Sequence, residues 1–521
     1  MPETRKKSSE PLASPIINPR ELESKDFELV FALVGAVGTN LKYIEDALCD
    51  CLGEFNYTVP ARIHLSDFLK NVVLSRDGKR LRLHDTPEDK RIESRMDAGN
   101  LLREETGLGE VLALLAIQRI SEARNNLIGR NAYVINSVKH PSEVHSLRRI
   151  YGPGFFLIAA HSPEEVREIR LANLIAESNN TTEVNRFISA ARNLIRRDEF
   201  EPGKFGQQVR EAFHLADVFV SLTGDSPAAK NSAKESLKRF LRLIMGDPFQ
   251  TPTADEYLMF HAHAAAMRSG SLSRQVGAVI GTDRAEVLSV GCNDVPRAGG
   301  GLYLAGDVDD NRDMKRERDS SDEQKEKMVD ELLELLRSAG WLNKKGKKGA
   351  AEAIVLLRGT RLMNVIEFGR DAHAEMEAIL AAARMGISIK GHDLYSTTFP
   401  CHNCAKLIIA AGINRVVYIE PYPKSLAIEL HGDSISIGEK RQPQRKAAPP
   451  VLFEPFVGVG PRRYLEFFSL GQIKRKDESG RPVKWDGQTA MPRIPLLPLS
   501  YLERETQAKA IISKIDILNK L

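Results

Sequence analysis

Two cysteines in the motif Pro-Cys-His-Asn-Cys, together with a histidine upstream, are well suited to hold a metal ion. Cys401 and Cys404 open one apolar helical pattern, and His373 stands at the start of an earlier one. The positive end of a helix favours the thiolate, which is the form that binds metal. One nitrogen and two sulfurs suit Zn²⁺ and leave a fourth tetrahedral position for water. The spacing therefore predicts a catalytic zinc site.

Glu375, in the sequence His-Ala-Glu, is expected to move protons beside this site without binding the metal. Zinc lowers the pKa of a bound water to about 7, which makes hydroxide available at neutral pH. His-Ala-Glu followed by Pro-Cys-His-Asn-Cys resembles the signature of zinc-dependent base deaminases. In that chemistry hydroxide attacks C4 of cytosine, and the glutamate passes the proton to N3 and later to the departing ammonia. His402, inside the cysteine pair, should point away from the metal.

Composition limits the classes of protein to which the chain can belong. Its 521 residues, 42% of them hydrophobic, are enough for more than one domain. The 74 basic and 70 acidic side chains nearly balance, unlike those of a dedicated nucleic-acid binder. No apolar run approaches the roughly 20 residues of a membrane span, and the N-terminus lacks a signal peptide's apolar core. We therefore expect a cytoplasmic protein with reduced thiols, in which Cys49, Cys51 and Cys292 only pack.

Alternating helix and strand patterns predict an α/β fold in two main parts. After a disordered tail at 1–25, the strand candidates FELVFALVG, AYVINSV, FFLIAAH and DVFVSL indicate a parallel, helix-covered sheet over 26–224. A helical linker at 225–252 leads to a second domain at 253–425, where a hairpin is followed by helix, strand, helix and strand. That domain carries a charged insertion at 303–360, within which one amphipathic helix is expected.

A C-terminal extension at 426–521 ends in a helix with an apolar stripe. The residues of the stripe are Ala508, Ile511, Ile512, Ile515 and Leu518. Such a stripe must pack on something, either this chain or another copy of it.

The second domain resembles the deoxycytidylate deaminases of the cytidine deaminase superfamily. The resemblance lies in SLSRQVGAVI, GCNDVPRAGGGLY, HAEMEAIL and FPCHNCAKLIIAAGINRVVYIEPYPKS. The whole chain resembles the bacterial anti-phage dCTP deaminases, which join an N-terminal P-loop kinase-like domain to such a deaminase. This resemblance implies a three-layer α/β/α fold, zinc, a deoxycytidine nucleotide substrate and an oligomer of several copies. It also implies a role, because conversion of dCTP to dUTP drains a nucleotide that an infecting phage needs.

The same resemblance suggests residues that contact the substrate. Asn293 would bind the sugar or base, and the backbone at Ala374 would meet the pyrimidine carbonyl. Ser273 and Arg274 are candidates for phosphate contact, since a guanidinium can bind phosphate through two hydrogen bonds. Tyr422 and Lys424 are candidates for base stacking and phosphate contact. A turn asparagine and a solvated arginine are the structural alternatives for Asn293 and Arg274.

The first domain departs from the P-loop pattern in GAVGTNLK. Asn40 and Leu41 stand where the pattern has glycine and lysine, so we do not expect phosphoryl transfer. Backbone amides at Gly35, Gly38 and Thr39 could still hold a nucleotide's phosphate, or the loop could serve only the fold. Downstream, the run Arg196, Arg197 and Asp198 resembles a kinase lid, with a solvated charged face as the alternative.

Several functions remain open at this point. The first is a defence enzyme acting on free dCTP or dCMP, and a housekeeping dCMP deaminase is its close variant. A polynucleotide-editing deaminase is disfavoured by 6% aromatics and near-neutral charge. A regulatory module with an inert deaminase half is disfavoured by the intact Glu375 and its three metal ligands. A regulatory nucleotide or a small inhibitory RNA could also bind, the RNA at basic stretches such as 343–349.

Overall fold

The computed structural model describes most of the chain. The described ranges are 28–76, 79–124, 129–199, 201, 205–342, 350–357, 360–420, 425–438, 449–471, 473–493, 500–515 and 517–518. The predicted tail at 1–25, the basic stretch 343–349, and Tyr422 and Lys424 lie outside them.

The N-terminal part alternates strands and helices. Its strands are β1 Leu29–Gly35, β2 Thr58–His64, β3 Ser75–Arg76, β4 Lys79–Arg80, β5 Asn131–Asn136, β6 Phe155–His161 and β7 Val218–Ser221. Its helices are α1 Leu41–Glu54, α2 Glu88–Thr106, α3 Val111–Ala123, α4 Pro141–Tyr151, α5 Glu164–Ser178, α6 Ile188–Glu199, α7 Val209–Phe213 and α8 Pro227–Ile244.

The remainder of the chain adds a second set of elements. Its strands are β8 Gly277–Gly281, β9 Val287–Cys292, β10 Asp393–Ser396, β11 Arg415–Tyr418, β12 Ile435–Ile437, β13 Val451–Pro455 and β14 Gly458–Val459. Its helices are α9 Ala254–Ala266, α10 Asp313–Arg316, α11 Ser320–Ser338, α12 Ala350–Leu357, α13 Ala374–Met385, α14 His402–Ala410, α15 Leu426–His431, α16 Tyr464–Phe468 and α17 Ser500–Ile512. Short 3₁₀ helices cover Leu65–Asn71, Gly152–Gly154, Val184–Phe187, Arg361–Asn364 and Pro461–Arg463.

The N-terminal sheet runs in the order β14-β7-β6-β1-β5-β2. Strands β7, β6, β1, β5 and β2 are parallel, and every residue of β1 and β6 is buried. A parallel sheet covered on both faces requires such continuously apolar strands. The four predicted strands are therefore confirmed. Strand β2 was missed because it is an edge strand with alternating polar residues.

The second sheet runs in the order β12-β13-β11-β10-β8-β9 and contains the predicted hairpin, β8 and β9. Strands β10, β11, β13 and β12 pair in parallel. Helix α9 packs on one face of this sheet, and α13 and α14 pack on the other. The α/β class is confirmed, with two sheets rich in parallel pairs. The second sheet also continues beyond Ser425, where the sequence predicted a separate extension.

The C-terminal segment packs on this chain. Strand β14 pairs antiparallel with β7, and α17 packs against α3. Ala508, Ile512 and Leu518 of the predicted stripe are buried, whereas Ile511 is exposed. The stripe therefore covers the chain's own core.

The insertion contains the expected amphipathic helix, α11. Of its apolar residues, Val329 is fully buried and Leu332 is exposed. Every helix within the described ranges is too short or too polar to cross a lipid bilayer.

Candidate metal centre

The metal-ligating residues stand at the starts of two helices on the same face of the second sheet. His373 is the N-cap of α13, and Cys401 is the N-cap of α14. The sulfur of Cys401 accepts the Cys404 backbone N–H at 3.4 Å, so it satisfies one of the free amides of the helix end. The two helices contact each other. Their packing brings residues of separate sequence motifs to one point.

The three predicted ligands form a compact group. His373 Nδ1 lies 3.2 Å from Cys401 Sγ and 3.3 Å from Cys404 Sγ. All three ligand atoms lie within 4.8 Å of one another. Ligands of one tetrahedral Zn²⁺ lie roughly 3.5–3.8 Å apart for bond lengths of about 2.0–2.3 Å. The donor set and its spacing therefore fit zinc after a small outward adjustment.

The two sulfurs differ in acidity, and a divalent cation would change that difference. A hydrogen bond from Cys404 lowers the pKa of Cys401 to about 4, and bonding to Cys401 raises the pKa of Cys404. Bonding to the Cys401 sulfur also raises the pKa of His373. Metal binding requires both sulfurs as thiolates and the imidazole neutral, so Zn²⁺ would release protons here.

Glu375 lies beside this group in the first turn of α13. Its side chain is 3% exposed, and burial raises the pKa of its carboxyl. Ser396 Oγ donates to Oε1 at 3.2 Å, and the Cys404 thiol donates to Oε2 at 3.3 Å. A carboxyl with a raised pKa suits proton transfer near neutral pH. Ser396 was not foreseen, although a serine ending a buried strand is a signal of a polar partner.

The predicted substrate residues that the structure describes lie around the same end of the sheet. Asn293 Oδ1 accepts the Val276 N–H at 2.7 Å, and its Nδ2 donates to the Arg274 carbonyl at 2.8 Å. The Asn293 side chain therefore holds the backbone of the segment before β8 through two hydrogen bonds. Arg274 donates to Thr398 Oγ1 at 3.3 Å, and Ser273 is exposed.

Close packing at Ala374 fixes the position of α13. Ala374 is fully buried, and a Cβ at Gly291 of β9 would stand 2.2 Å from the Ala374 carbonyl oxygen. Only glycine at position 291 allows the start of the helix, and with it His373, to lie this close to the sheet.

Contacts that the sequence did not indicate hold the segment before His373, and one of them comes from the insertion. Ala372 forms a β-bridge with Asp294, and Arg370 donates to Asp313 at 2.8 Å. His402 Nε2 lies 3.4 Å from Glu367 Oε1. As predicted, His402 is not among the clustered ligands.

The loop after β1, which carries Gly35, Gly38 and Thr39, is contacted by other parts of the chain. Gly38 has φ +89°, and a Cβ there would lie 2.6 Å from the Arg167 carbonyl. The Val37 N–H donates to Asp198 Oδ2 at 2.8 Å, and Lys139 Nζ donates to Oδ1 at 2.8 Å. Asp198 is fully buried, so the solvated-face interpretation is wrong for this residue, and the lid interpretation stays a prediction. Phosphate contact at Gly35, Gly38 and Thr39 stays a prediction, as does the P-loop kinase-like assignment.

Comparisons with known proteins agree with the geometry of the metal centre. Residues 252–420 match the family described as the cytidine and deoxycytidylate deaminase zinc-binding region. The deoxycytidylate deaminase of Enterobacteria phage T2 is 51% identical over 55 residues, which are 11% of this chain and 29% of the phage protein. The probable deoxycytidylate deaminase of Drosophila melanogaster is 29% identical over 215 residues, 40% of this chain and 83% of that protein.

A solved structure of the dCMP deaminase from cyanophage S-TIM5 is also similar. It is 17% identical with a TM-score of 0.21, and the match covers 40% of this chain and 100% of the cyanophage chain. The match to the T2 enzyme spans less than a third of that enzyme's length. Residues 252–420 match a zinc-binding deaminase region, and His373, Cys401 and Cys404 within that match are arranged to hold Zn²⁺.

Proposed function

We propose that the chain hydrolytically deaminates the cytosine of free deoxycytidine nucleotides, dCTP or dCMP, in a zinc-dependent reaction. The observation that carries this proposal is the buried carboxylate of Glu375, next to three ligand atoms that suit Zn²⁺ but outside that set. A structural zinc site would have four protein ligands and no need for a buried proton carrier beside them.

The protein's residues divide the chemistry between them. When bound by His373, Cys401 and Cys404, Zn²⁺ supplies the Lewis acidity that makes water nucleophilic at neutral pH. Glu375 takes a proton from that water and delivers it to N3 of the cytosine as oxygen bonds to C4. It then takes the second proton and delivers it to the amino group. The C4–N bond breaks, ammonia leaves and uracil remains, so that one water is consumed for each ammonia released.

Ser396 and the packing of α13 serve this proton transfer. The Ser396 hydroxyl holds Oε1 of Glu375, which leaves Oε2 on the side of the metal ligands. Asn293, Ala374, Ser273 and Arg274 would contact the substrate, with Arg274 directed at phosphate. Tyr422 and Lys424 belong to the same proposal.

The biological role that we propose is depletion of dCTP during phage infection. A housekeeping dCMP deaminase needs only the deaminase domain, whereas here an N-terminal sheet and a C-terminal segment pack around it. Fold and domain pairing do not by themselves determine a function. The proposed role in defence therefore requires that dCTP be the preferred substrate. Assembly into a homo-oligomer, cytoplasmic location and control by a nucleotide or a small RNA stay predictions.

A substrate panel tests the proposal. Purified zinc-loaded protein is offered dCMP, dCTP, CTP and single-stranded DNA, and the uracil products are quantified. Preference for dCTP supports the defence role, and preference for dCMP supports the housekeeping alternative. Deamination of the DNA alone, or of none of the four, contradicts the proposed function.

A further inference from the structure

A cavity lies in the N-terminal part, and its lining includes none of the metal-centre residues. Its volume is about 340 Å³, and its lining includes the last residues of three parallel strands, Gly35 of β1, His64 of β2 and Asn136 of β5. Parallel sheets bind ligands in the crevice at the carboxyl ends of their strands, and pockets for small molecules begin near this volume. The place and the size of the cavity therefore suit a small ligand.

The anion position of the loop after β1 is already filled by the chain itself. The Val37 amide and the Lys139 ammonium both donate to the buried Asp198 carboxylate, and Lys139 also donates to the Gly35 carbonyl at 3.2 Å. A polyphosphate could reach these donors only by displacing that carboxylate.

Other basic side chains that line the cavity have acidic partners as well. Arg91 pairs with Glu88, and Arg170 pairs with Asp225. A highly charged anion is therefore not the ligand that this lining favours.

Several buried polar atoms in the lining lack a hydrogen-bond partner within the described part of the chain. These atoms are Thr39 Oγ1, Arg95 Nε, Arg103 Nε, Asn136 Oδ1 and Gln207 Oε1. Buried polar groups in folded proteins are almost always paired, so a cluster of unpaired ones around one cavity indicates a polar ligand or ordered water.

On one side of the cavity, the Glu201 carboxylate determines how the side-chain amides of Asn100 and Gln207 are oriented. Glu201 can only accept, and Asn100 Nδ2 donates to it at 2.5 Å. Asn100 Oδ1 then accepts from Gln207 Nε2 at 3.1 Å, which leaves Gln207 Oε1 as a free acceptor. Arg103 Nη1 contacts the same Asn100 oxygen at 3.4 Å, so its free Nε donor lies nearby. A donor and an acceptor are thus presented close together.

Asn136 is oriented in the same way. Its Nδ2 donates to the Glu45 carboxylate at 2.8 Å, which leaves Oδ1 as a second free acceptor at the end of β5. The apolar part of the lining includes Leu65, Ile92 and Met96. Apolar walls with a few fixed donors and acceptors are typical of sites for flat heterocycles.

We infer that this cavity binds a nucleoside through the hydrogen-bonding edge of its base, without a requirement for a triphosphate. The edge of a nucleobase places N–H donors beside carbonyl or ring-nitrogen acceptors. Such an edge complements the Gln207 oxygen and the Arg103 N–H, while Asn136 accepts from a further N–H group. The site is separate from the deaminase centre, so it can bind a base that the enzyme does not deaminate.

Binding to full-length, zinc-loaded Glu375→Gln protein tests the inference, because this variant leaves substrate unconverted. Thymidine, deoxyadenosine, deoxyguanosine and their 5′-triphosphates are titrated by calorimetry, which avoids cytosine at the deaminase site. We expect at least one nucleoside to bind with about one site per chain. Gln207→Ala should weaken that binding by about tenfold or more, since a buried hydrogen bond is lost.

Control variants keep the outcome interpretable. Gln488→Ala removes an exposed side chain and should bind as the parent does. Thr39→Val is a nearly isosteric change in the lining and should also weaken binding if Gln207→Ala proves unstable. Binding of triphosphates without their nucleosides, binding of none of the probes, or unchanged affinity in both lining variants would overturn the inference.

Discussion

The sulfur of Cys404 lies 3.3 Å from Oε2 of Glu375, so a metal ligand and the proposed proton carrier touch. Both side chains are buried, and Glu375 extends from the helix that His373 caps. This contact places the Glu375 carboxylate next to the metal position, although the carboxylate is not one of the three metal ligands, His373, Cys401 and Cys404. The packing of α13 against α14 therefore positions both the metal ligands and the carboxylate that we propose transfers protons.

Glu375→Gln should abolish deamination and leave the zinc content unchanged. The amide keeps the hydrogen-bonding shape but cannot take a proton from water, so we expect turnover to fall by about 10²–10⁴-fold. Turnover is measured on dCTP and dCMP, and zinc by mass spectrometry. Glu377→Gln is the matched control, because Glu377 is buried in the same helix and pairs with Arg384. Retained turnover in Glu375→Gln would remove that residue from the proton transfer.

Gly291→Ala should displace the start of α13. The added Cβ would stand 2.2 Å from the Ala374 carbonyl oxygen and 2.4 Å from the Ala378 nitrogen, so strand or helix must move. We expect a loss of about 1–3 kcal/mol in unfolding free energy, typical of overpacking, together with weaker zinc binding. Gly53→Ala, in α1 with no atom within 4 Å of the new Cβ, should instead stabilise the protein slightly. Equal stability of Gly291→Ala and the parent would contradict this account.

Asp255→Asn should destabilise the protein near neutral pH and not in acid. Burial opposes ionisation of Asp255, but hydrogen bonds from Arg415 and Tyr395 outweigh it and lower the pKa of the carboxyl. A lowered folded pKa adds stability above the unfolded value of about 3.9, and this stability is lost as the pH falls through the folded pKa. Urea unfolding should show a difference of about 1–2 kcal/mol at pH 7 that shrinks below about pH 4.

Asp283→Asn, at an exposed loop position, serves as the control for the change in net charge. A penalty for Asp255→Asn that stays constant from pH 7 to pH 3.5 would show that the ion pair is not its cause.

The sequence predicted the elements whose signals are local. The buried parallel strands β1 and β6 are continuous apolar runs, and the metal ligands belong to short motifs at helix starts. The sequence analysis did not predict strands β12 and β13. Each is short, and no residue near either strand indicates which strand it pairs with. Pairing between distant segments is set by tertiary packing, which periodicity does not record.

The interior of the N-terminal part shows the same limit. Asp198 stands 161 residues from Val37 and was placed on a lid or a solvated face because it follows two arginines. Only the fold shows that its carboxylate fills the loop after β1. The hydrogen-bond chain from Glu201 through Asn100 to Gln207 likewise joins segments that share no sequence pattern.

Glu505→Ala should loosen the C-terminal helix. Arg124 is buried between Glu28 and Glu505, at 2.7 Å from each carboxylate, and Tyr501 of α17 also donates to Glu28. Removal of Glu505 takes two charge-assisted hydrogen bonds from the Arg124 guanidinium, which keeps Glu28 as a partner, so we expect a loss of about 1.5–3 kcal/mol. Thermal unfolding measures the loss, and Glu503→Ala, on the exposed side of α17, should be neutral. A neutral Glu505→Ala would show that α17 is not held by this cluster.

Zinc stoichiometry, measured by elemental mass spectrometry on the intact protein and its ligand variants, tests the central claim most directly. The account predicts about one zinc per chain in the parent protein and in Cys292→Ser, whose buried sulfur lies outside the cluster. It predicts loss of the metal and of deamination together in His373→Ala, Cys401→Ser and Cys404→Ser. A parent protein that deaminates without zinc, or ligand variants that keep a full complement of it, would contradict the account.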